Sequence, residues 1–492
     1  MPPEETLMPK GARGFLGSVV PFLYGRYPLH IKPMHVVNGF LRAALDIPDA
    51  SKIGSKVQQL VRPHPKYQRP SFLSIDPILN NPVQNKRFIR SMDWIVNRDS
   101  QAVPSGTHGS IFPLSAVMFT DKNSSDEQFG QMIWNLVSKN RPKIHKELVE
   151  LYSPDDDDAM KLLGAVLSAN EVPLMPKSKA TEDIWGSTLG KKFAKKLVNW
   201  LEPAFDGLTM HTHSTRVTAF VRALHLIGFF ASIRSPELAV RTDAKKWTEL
   251  SPLMFYGGKL PGNKNERVMR LAVRSFDCVA QAQRNALREM FERQFKRRRG
   301  FRNLKGAALI TAVFEGGDQK LPRAAKERAV SLSRSCDRTK LATVLCEEVY
   351  PVGEWERGVH GVGRTIGAAG PELRRSRGGY RFVLETPVLS LLVQATVPGG
   401  HDKEEGLLFD EWIDKVFDDF GIVLGKGRSQ RLVGLLTRFE TEELLVDLLA
   451  TNQEELRQRM LRAGLAVEFS DGETVVMPDA THQRQRQTVN GD

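Results

Sequence analysis

The chain has 492 residues, 41% hydrophobic and 26% charged, with 70 Lys and Arg against 57 Asp and Glu. That length exceeds one ordinary core and implies about three folding units at ~100–200 residues each. The composition excludes a disordered or collagen-like chain, and the formal net charge of +13 points towards a polyanionic partner without naming one.

Three cysteines, Cys278, Cys336 and Cys346, are too few and too scattered for a disulfide framework or a zinc module. Cys278 and Cys346 sit in apolar helical patterns and read as buried small hydrophobes in a reducing compartment. Glu4 and Glu5 stand where a secretion signal needs positive charge, and GFLGSVVPFLYG is followed by no small-residue cleavage site. Apolar runs fall short of the ~20 residues of a membrane span; VTAFVRALHLIGFFA is interrupted by Arg222 and His225. A cytoplasmic protein without a membrane partner is expected.

Residues 1–130 read as a loop-rich helical region. Helical patterns at 34–45 and 86–97 flank RPHPKYQRPSFLSIDPILNNP, whose prolines block helix and ladder alike. Residues 131–350 form a central helical domain. EQFGQMIWNLVSK, which begins just before it, and PKIHKELVELY carry apolar residues at three- and four-residue steps. Asp155 to Asp158 precede AMKLLGAVLSA, where carboxylates favour a helix start. WGSTLGKKFAKKLVNW places Leu189, Phe193, Leu197 and Trp200 on one face, with Lys191, Lys192, Lys195 and Lys196 on the adjoining arc. STRVTAFVRALHLIGFFA, capped by Ser214, is apolar almost all round and belongs at the centre of a bundle. The longest pattern, 263–299, predicts a helix of about 55 Å ending at Gly300.

Residues 351–381 are rich in Gly and Arg and read as a loop-bearing junction between domains. Residues 382–479 read as a winged-helix-like α/β module. Helices are expected at 386–397 and 404–420, an extended piece at GIVLG, and two helices around 428–449 and 452–463, the second capped by Asn452 with Glu455 at the capping-box position. A hairpin then turns at Ser470-Asp471-Gly472. Residues 480–492 form a polar, disordered tail. The fold class is therefore mainly α, a multi-domain helical protein with a C-terminal winged-helix-like module.

Fragments that echo catalytic motifs fail on physical requirements. GSTLGKK has too few residues between its glycines and no hydroxyl after Lys191 to hold magnesium, so it reads as helix. GVHGVGRTIGAAG lacks a preceding strand and a ribose-binding acid, so His360 and Arg364 read as part of a structured loop. His211 and His213 lack a third ligand close in sequence, and His225 reads as a core histidine. The acids of PDDDDAMK and DEWIDK lie at a helix start and on a helix face, not on adjacent strands where two-metal sites need them. No catalytic residue, cofactor or metal is assigned.

Charge is unevenly spread. Arg293, Lys296, Arg297, Arg298, Arg299, Arg302 and Lys305 crowd the end of the longest helix, and Arg374, Arg375 and Arg377 follow in the junction, whereas 402–420 is acidic. One or two cations would complement the helix dipole; this many suit phosphate neutralisation, with Arg favouring forked contacts. Phe295 and Phe301 interleave the run as core anchors or as base-stacking groups. In the C-terminal module the recognition position would carry Gln458, Arg459 and Arg462 beside acids, a mixture better suited to protein docking. The expectation is a non-enzymatic nucleic-acid-associated subunit, on DNA rather than RNA, in a DNA-processing assembly such as one of anti-phage defence. A protein partner such as an ATPase or nuclease would meet its acidic C-terminal domain. The alternatives are a metal-dependent nuclease or hydrolase seeded by Asp155 to Asp158 or His211 and His213, and a protein-only scaffold.

Overall fold

Apolar residues spaced three and four apart make most of this chain helical, and the computed structural model is mainly helical with two small sheets. It describes residues 124–151, 187–205, 213–258, 263–297, 303–314, 323–332, 335–349, 353–370, 379–397, 406–427 and 442–477, with Val36, Val37, Phe40, Ala44, Val83 and Trp185 at isolated positions. These fall into two units, each discontinuous along the chain. One draws on Met1–Thr181, Pro203–Gly228 and Gly317–Pro322, the other on Glu182–Glu202, Phe229–Gly316 and Arg323–Asp492.

In chain order the first half holds α1 (Ser124–Asn140), α2 (Ile144–Leu151), α3 (Thr188–Val198), α4 (Glu202–Phe205), α5 (His213–Val240), β1 (Leu253–Tyr256) and α6 (Asn263–Arg297). Then come α7 (Gly306–Phe314), α8 (Arg323–Ser331), α9 (Arg338–Val349), α10 (Glu354–Ile366), β2 (Phe382–Val383) and α11 (Thr386–Thr396). The chain continues with β3 (Leu407–Leu408), α12 (Phe409–Phe420), β4 (Ile422–Val423), α13 (Glu442–Ala463), β5 (Ala466–Glu468) and β6 (Thr474–Val476). Among the described residues no helix is long and apolar enough to cross a membrane.

In the first unit, aromatic edges interlock. Phe40 meets Trp134 at 5.3 Å and Phe220 at 5.8 Å, and Phe205 meets Phe220 at 5.7 Å between ring centres. Arg141 closes the α1–α2 turn on Glu147 at 2.6 Å. His225 is buried, its Nδ1 donating to the Val221 carbonyl at 2.6 Å, the core role expected for it.

The second unit is built around β1, which is flanked by β2 and β4 in a parallel three-stranded sheet, Phe255 opposite Phe382 and Leu253 opposite Ile422. All eight residues of these strands are buried, as parallel strands covered on both faces must be. Phe229 and Phe276 pack against Phe382 and Phe230 against Phe255, with Trp200 packed behind Phe230. Ser275 of α6 ties the helix to β1, accepting from the Met254 N–H and donating to the Pro252 carbonyl. The second sheet is antiparallel, in the order β3-β6-β5. Its hairpin turns where Asp-Gly marks it. The Gly472 N–H bonds the Phe469 carbonyl at 3.0 Å, and Gly472 takes a φ of +85°, the left-handed residue a three-residue loop needs.

GIVLG supplies the extended piece expected of it, β4, which pairs with β1 in the parallel sheet. Two expectations are corrected. Asn452 caps nothing: it lies inside α13, one unbroken helix, because its carboxamide is satisfied by strands and not by its own helix start. The stretch 354–366 is helical and not loop. Gly353 (φ +87°) and Gly367 (φ +80°) bound it, and the glycines between them sit on helical backbone. Gly363 is there for closeness, since a Cβ would lie 2.7 Å from that of Ala369 and 3.1 Å from the Phe229 ring.

Candidate nucleic-acid interface

α6 runs for 35 residues where the sequence predicts a helix over 263–299, and Val268, Leu271, Phe276, Val279, Leu287 and Phe291 on its apolar stripe are essentially inaccessible, as is Phe295, which is thereby a core anchor. The basic end is held by this stripe. Phe291 and Phe295, both 0% exposed, anchor the final turns, while Arg288 and Lys296 are exposed. Arg288, Glu292 and Lys296 follow one another at four-residue steps along one face.

The predicted cations do not all serve one purpose. Arg293 donates to the Val240 carbonyl at the end of α5 (2.8 Å) and pairs with Glu289 (2.8 Å), so it caps a neighbouring helix. Arg284, also in the basic run, pairs with buried Glu356, which accepts from the Gly353 N–H at 2.8 Å. Burial, and then the Glu356 charge, push the nearby Asp277 carboxyl above its ordinary range, with Arg284 opposing. Lys296 and Lys305 are exposed, and Arg297 ends the helix. Arg298, Arg299, Arg302, Arg374, Arg375 and Arg377 lie outside the described residues, as do Phe301, Asp155 to Asp158 and His211.

The other charged features are turned inward. Arg459 is buried and donates to the carbonyls of Gly257 (3.0 Å) and Leu384, while burial lowers its guanidinium pKa. Asn452, fully buried, accepts from the Gly257 N–H (2.8 Å) and donates to the carbonyls of Phe255 (2.9 Å) and Leu424 (2.7 Å). These carbonyls and amides are the carboxyl ends of all three parallel strands. Open α/β sheets hold ligands at such ends; here two side chains of α13 seal them. Arg234 is likewise buried and bonds the carbonyls of Ser251 (2.7 Å) and Gly421 (3.1 Å) beside Glu237. Burial pushes its guanidinium down to about 10, with Glu237 opposing. Sequence reasoning missed all three roles: the only local sign was a polar residue on an otherwise apolar helix face.

The acidic helix α12, expected to meet a partner, is partly answered within the chain. Lys196 pairs with Asp419 at 3.0 Å, and Lys192 donates to the Asp418 carbonyl at 3.1 Å. Asp419 is buried, and Lys415 approaches it at 3.8 Å. A charged cleft of about 400 Å³ between α3 and α12 is lined by these groups together with Glu411 and Asp414.

Two of the fragments that echo catalytic motifs hold structural hydrogen bonds. Ser187 of GSTLGKK caps α3, accepting from the Gly190 N–H at 2.9 Å. His360 donates to the Gly370 carbonyl at 2.6 Å and stacks on Tyr380. Among the described residues no group of His, Cys, Asp and Glu could hold a metal ion. Compared with known proteins, the chain matches no family model, no curated protein and no solved structure.

Proposed function

We propose that this chain is a non-enzymatic nucleic-acid-binding subunit of a DNA-processing assembly, which holds phosphate backbone with the basic end of α6 and docks a protein partner through its C-terminal region. The observation that carries the reading is the contrast at that end: Lys296 is exposed while Phe291 and Phe295, which follow Leu287 at four-residue steps, are fully buried. A cation on a helix anchored this firmly needs no ordering of its backbone to meet a phosphate. Arg297, Arg298, Arg299, Arg302 and Lys305 follow in sequence, and Arg374, Arg375 and Arg377 are assigned to the same role.

The C-terminal module is read as winged-helix-like. Helix α11, strand β3, helix α12, strand β4, helix α13 and the β5–β6 hairpin follow in that order; β4 pairs away with β1, and the pairing of β3 with β6 supports the reading. Within it α13 is not a DNA-reading helix, because Asn452 and Arg459 are spent on the parallel sheet. Protein docking has an observation of its own. Leu408 and Phe469, 38% and 37% exposed, are large apolar groups left in solvent on β3 and at the end of the hairpin.

The test is DNA binding by the full chain at rising salt, with Arg297, Arg298 and Arg299 together changed to Ala. Binding should weaken steeply with salt, and the triple variant should show a shallower dependence. Binding that is insensitive to salt, or unchanged in the variant, overturns the proposal.

A further inference from the structure

We infer that the outer face of the β3-β6-β5 sheet docks a short basic segment of a partner protein, one that carries large apolar side chains between Lys or Arg residues. This rests on the protein docking proposed above and gives the partner its chemistry and the module its docking face.

Register places the two exposed groups together. Leu408 lies opposite Val475, and Val475 lies opposite Val467, so the three form a row across the sheet. Phe469 follows Val467 by two residues on the same face, its N–H donating to the Glu473 carbonyl at 2.9 Å. Beneath them Val467 and Met477 are buried in a cluster of their own, with Val475 half-buried against it. The opposite face is already used. Ala466 and Val476 on it are 0% exposed, and Arg457 of α13 reaches Glu468 and Thr474 on that side at 3.1 Å. Of the four large apolar residues exposed among the described residues, two therefore share one face of one small sheet instead of being scattered singly.

Charge selects the occupant. The hairpin, 465–477, carries Glu468, Asp471 and Glu473 and no Lys, Arg or His, and residues 406–409 around β3 carry no charge. Glu468 is paired with Arg457 at 3.1 Å, whereas Asp471 and Glu473 are exposed at the rim next to Phe469. Phosphate is repelled there and a cationic apolar segment attracted.

Size selects it too. Strands lie about 4.8 Å apart, so the row from Leu408 to Val467 spans about 10 Å, and Phe469 lies about 7 Å along β5 from it. A standard interface takes about 800 Å² from each partner, far more than this face offers. It seats a few side chains of a short segment and not a second copy of the chain.

The experiment is fluorescence anisotropy on the full chain with two labelled peptides of about 12 residues, with Leu at the same positions and either Lys or Glu between them. The Lys peptide should bind, and the Leu408→Ser, Phe469→Ser double variant should weaken it about tenfold. The Asp471→Lys, Glu473→Lys double variant leaves the apolar groups in place and should also weaken binding, while flattening its salt dependence. All four positions are exposed, so thermal unfolding of both variants should match that of the native chain. Failure of the Lys peptide to bind, or binding indifferent to either variant, overturns the inference. So does a Glu peptide that binds as tightly and is weakened equally by Leu408→Ser, Phe469→Ser, because charge would then not select the partner. A dimer seen by sedimentation and dispersed by that variant overturns it as well, by making the occupant a second copy. DNA binding, on which the proposed function stands, should be unchanged in Leu408→Ser, Phe469→Ser, so the function and this inference fail in separate titrations.

Discussion

Asn452, in the middle of α13, holds Gly257 at the end of β1: the Gly257 N–H donates to its Oδ1 at 2.8 Å, within a site from which water is excluded. The same carboxamide donates to Phe255 of β1 and Leu424 beyond β4, so one side chain joins a helix to two neighbouring strands. Gly257 is glycine because α13 passes so close that a Cβ would lie 2.9 Å from the Asn452 carbonyl.

Asn452→Leu removes all three bonds and leaves a buried N–H and two buried carbonyls unsatisfied. Each orphaned group costs about 1–3 kcal/mol, so urea unfolding should show a loss of at least ~3 kcal/mol. A loss under about 1 kcal/mol would mean that the clamp is not made in solution.

Gly361 and Gly363 lie two residues apart in α10 and should respond to alanine with opposite signs. Nothing lies within 4 Å of a Cβ at Gly361, so Gly361→Ala should stabilise by up to about 1 kcal/mol through helix propensity. At Gly363 the new methyl would meet Ala369 and Phe229, and overpacking should cost about 1–3 kcal/mol. Thermal unfolding of the two variants side by side decides the matter; shifts of the same sign would contradict the packing.

Arg293 and Lys296, neighbours in the basic run, should separate in their effects. Arg293→Ala gives up a charged hydrogen bond to the Val240 carbonyl and should lower stability by about 1.5–3 kcal/mol, with little change in DNA affinity. Lys296→Ala should leave stability within about 0.5 kcal/mol and weaken DNA binding. Paired denaturation and binding titrations on both variants check this, and a binding defect in Arg293→Ala at intact stability would return that residue to the interface.

Alkaline pH should destabilise the fold through Cys346. Burial pushes its thiol from 9.0 up to about 12. The unfolded chain therefore loses this proton first, so the contribution is whole below pH 9 and shrinks as pH rises towards 12. At pH 10 the loss should reach about 1.4 kcal/mol. Arg234 works in the opposite sense only above about pH 10, where its own lowered pKa lies. Urea unfolding between pH 8 and 10 should show the decline in the native chain and a smaller one in Cys346→Ala.

Much of the helical frame was legible in advance because helix periodicity is a local property. The bounds of α6 and α11, and the hairpin at Asp471-Gly472, follow from spacings within a few residues. The parallel sheet was not legible. Its strands are four, two and two residues long, too short to show a period, and Leu253-Met254-Phe255-Tyr256 looks the same before a strand or a buried turn of helix. The helix at 354–366 was hidden by its glycines, whose low propensity is overridden by close packing at Gly363.

The sequence by itself determined where most helices lie, that the hairpin turns at Asp471-Gly472, and that a surplus of positive charge gathers near residue 297. Only the tertiary structure decided which of those charges remain in solvent. Arg284 meets Glu356 across 72 residues of chain, and Lys196 meets Asp419 across 223. Local patterns carry information about backbone conformation because hydrogen bonds within helices and hairpins join near neighbours. Burial and ion pairing join residues that are distant in the chain, so the division of this chain's cations into structural and available ones could be read only in three dimensions.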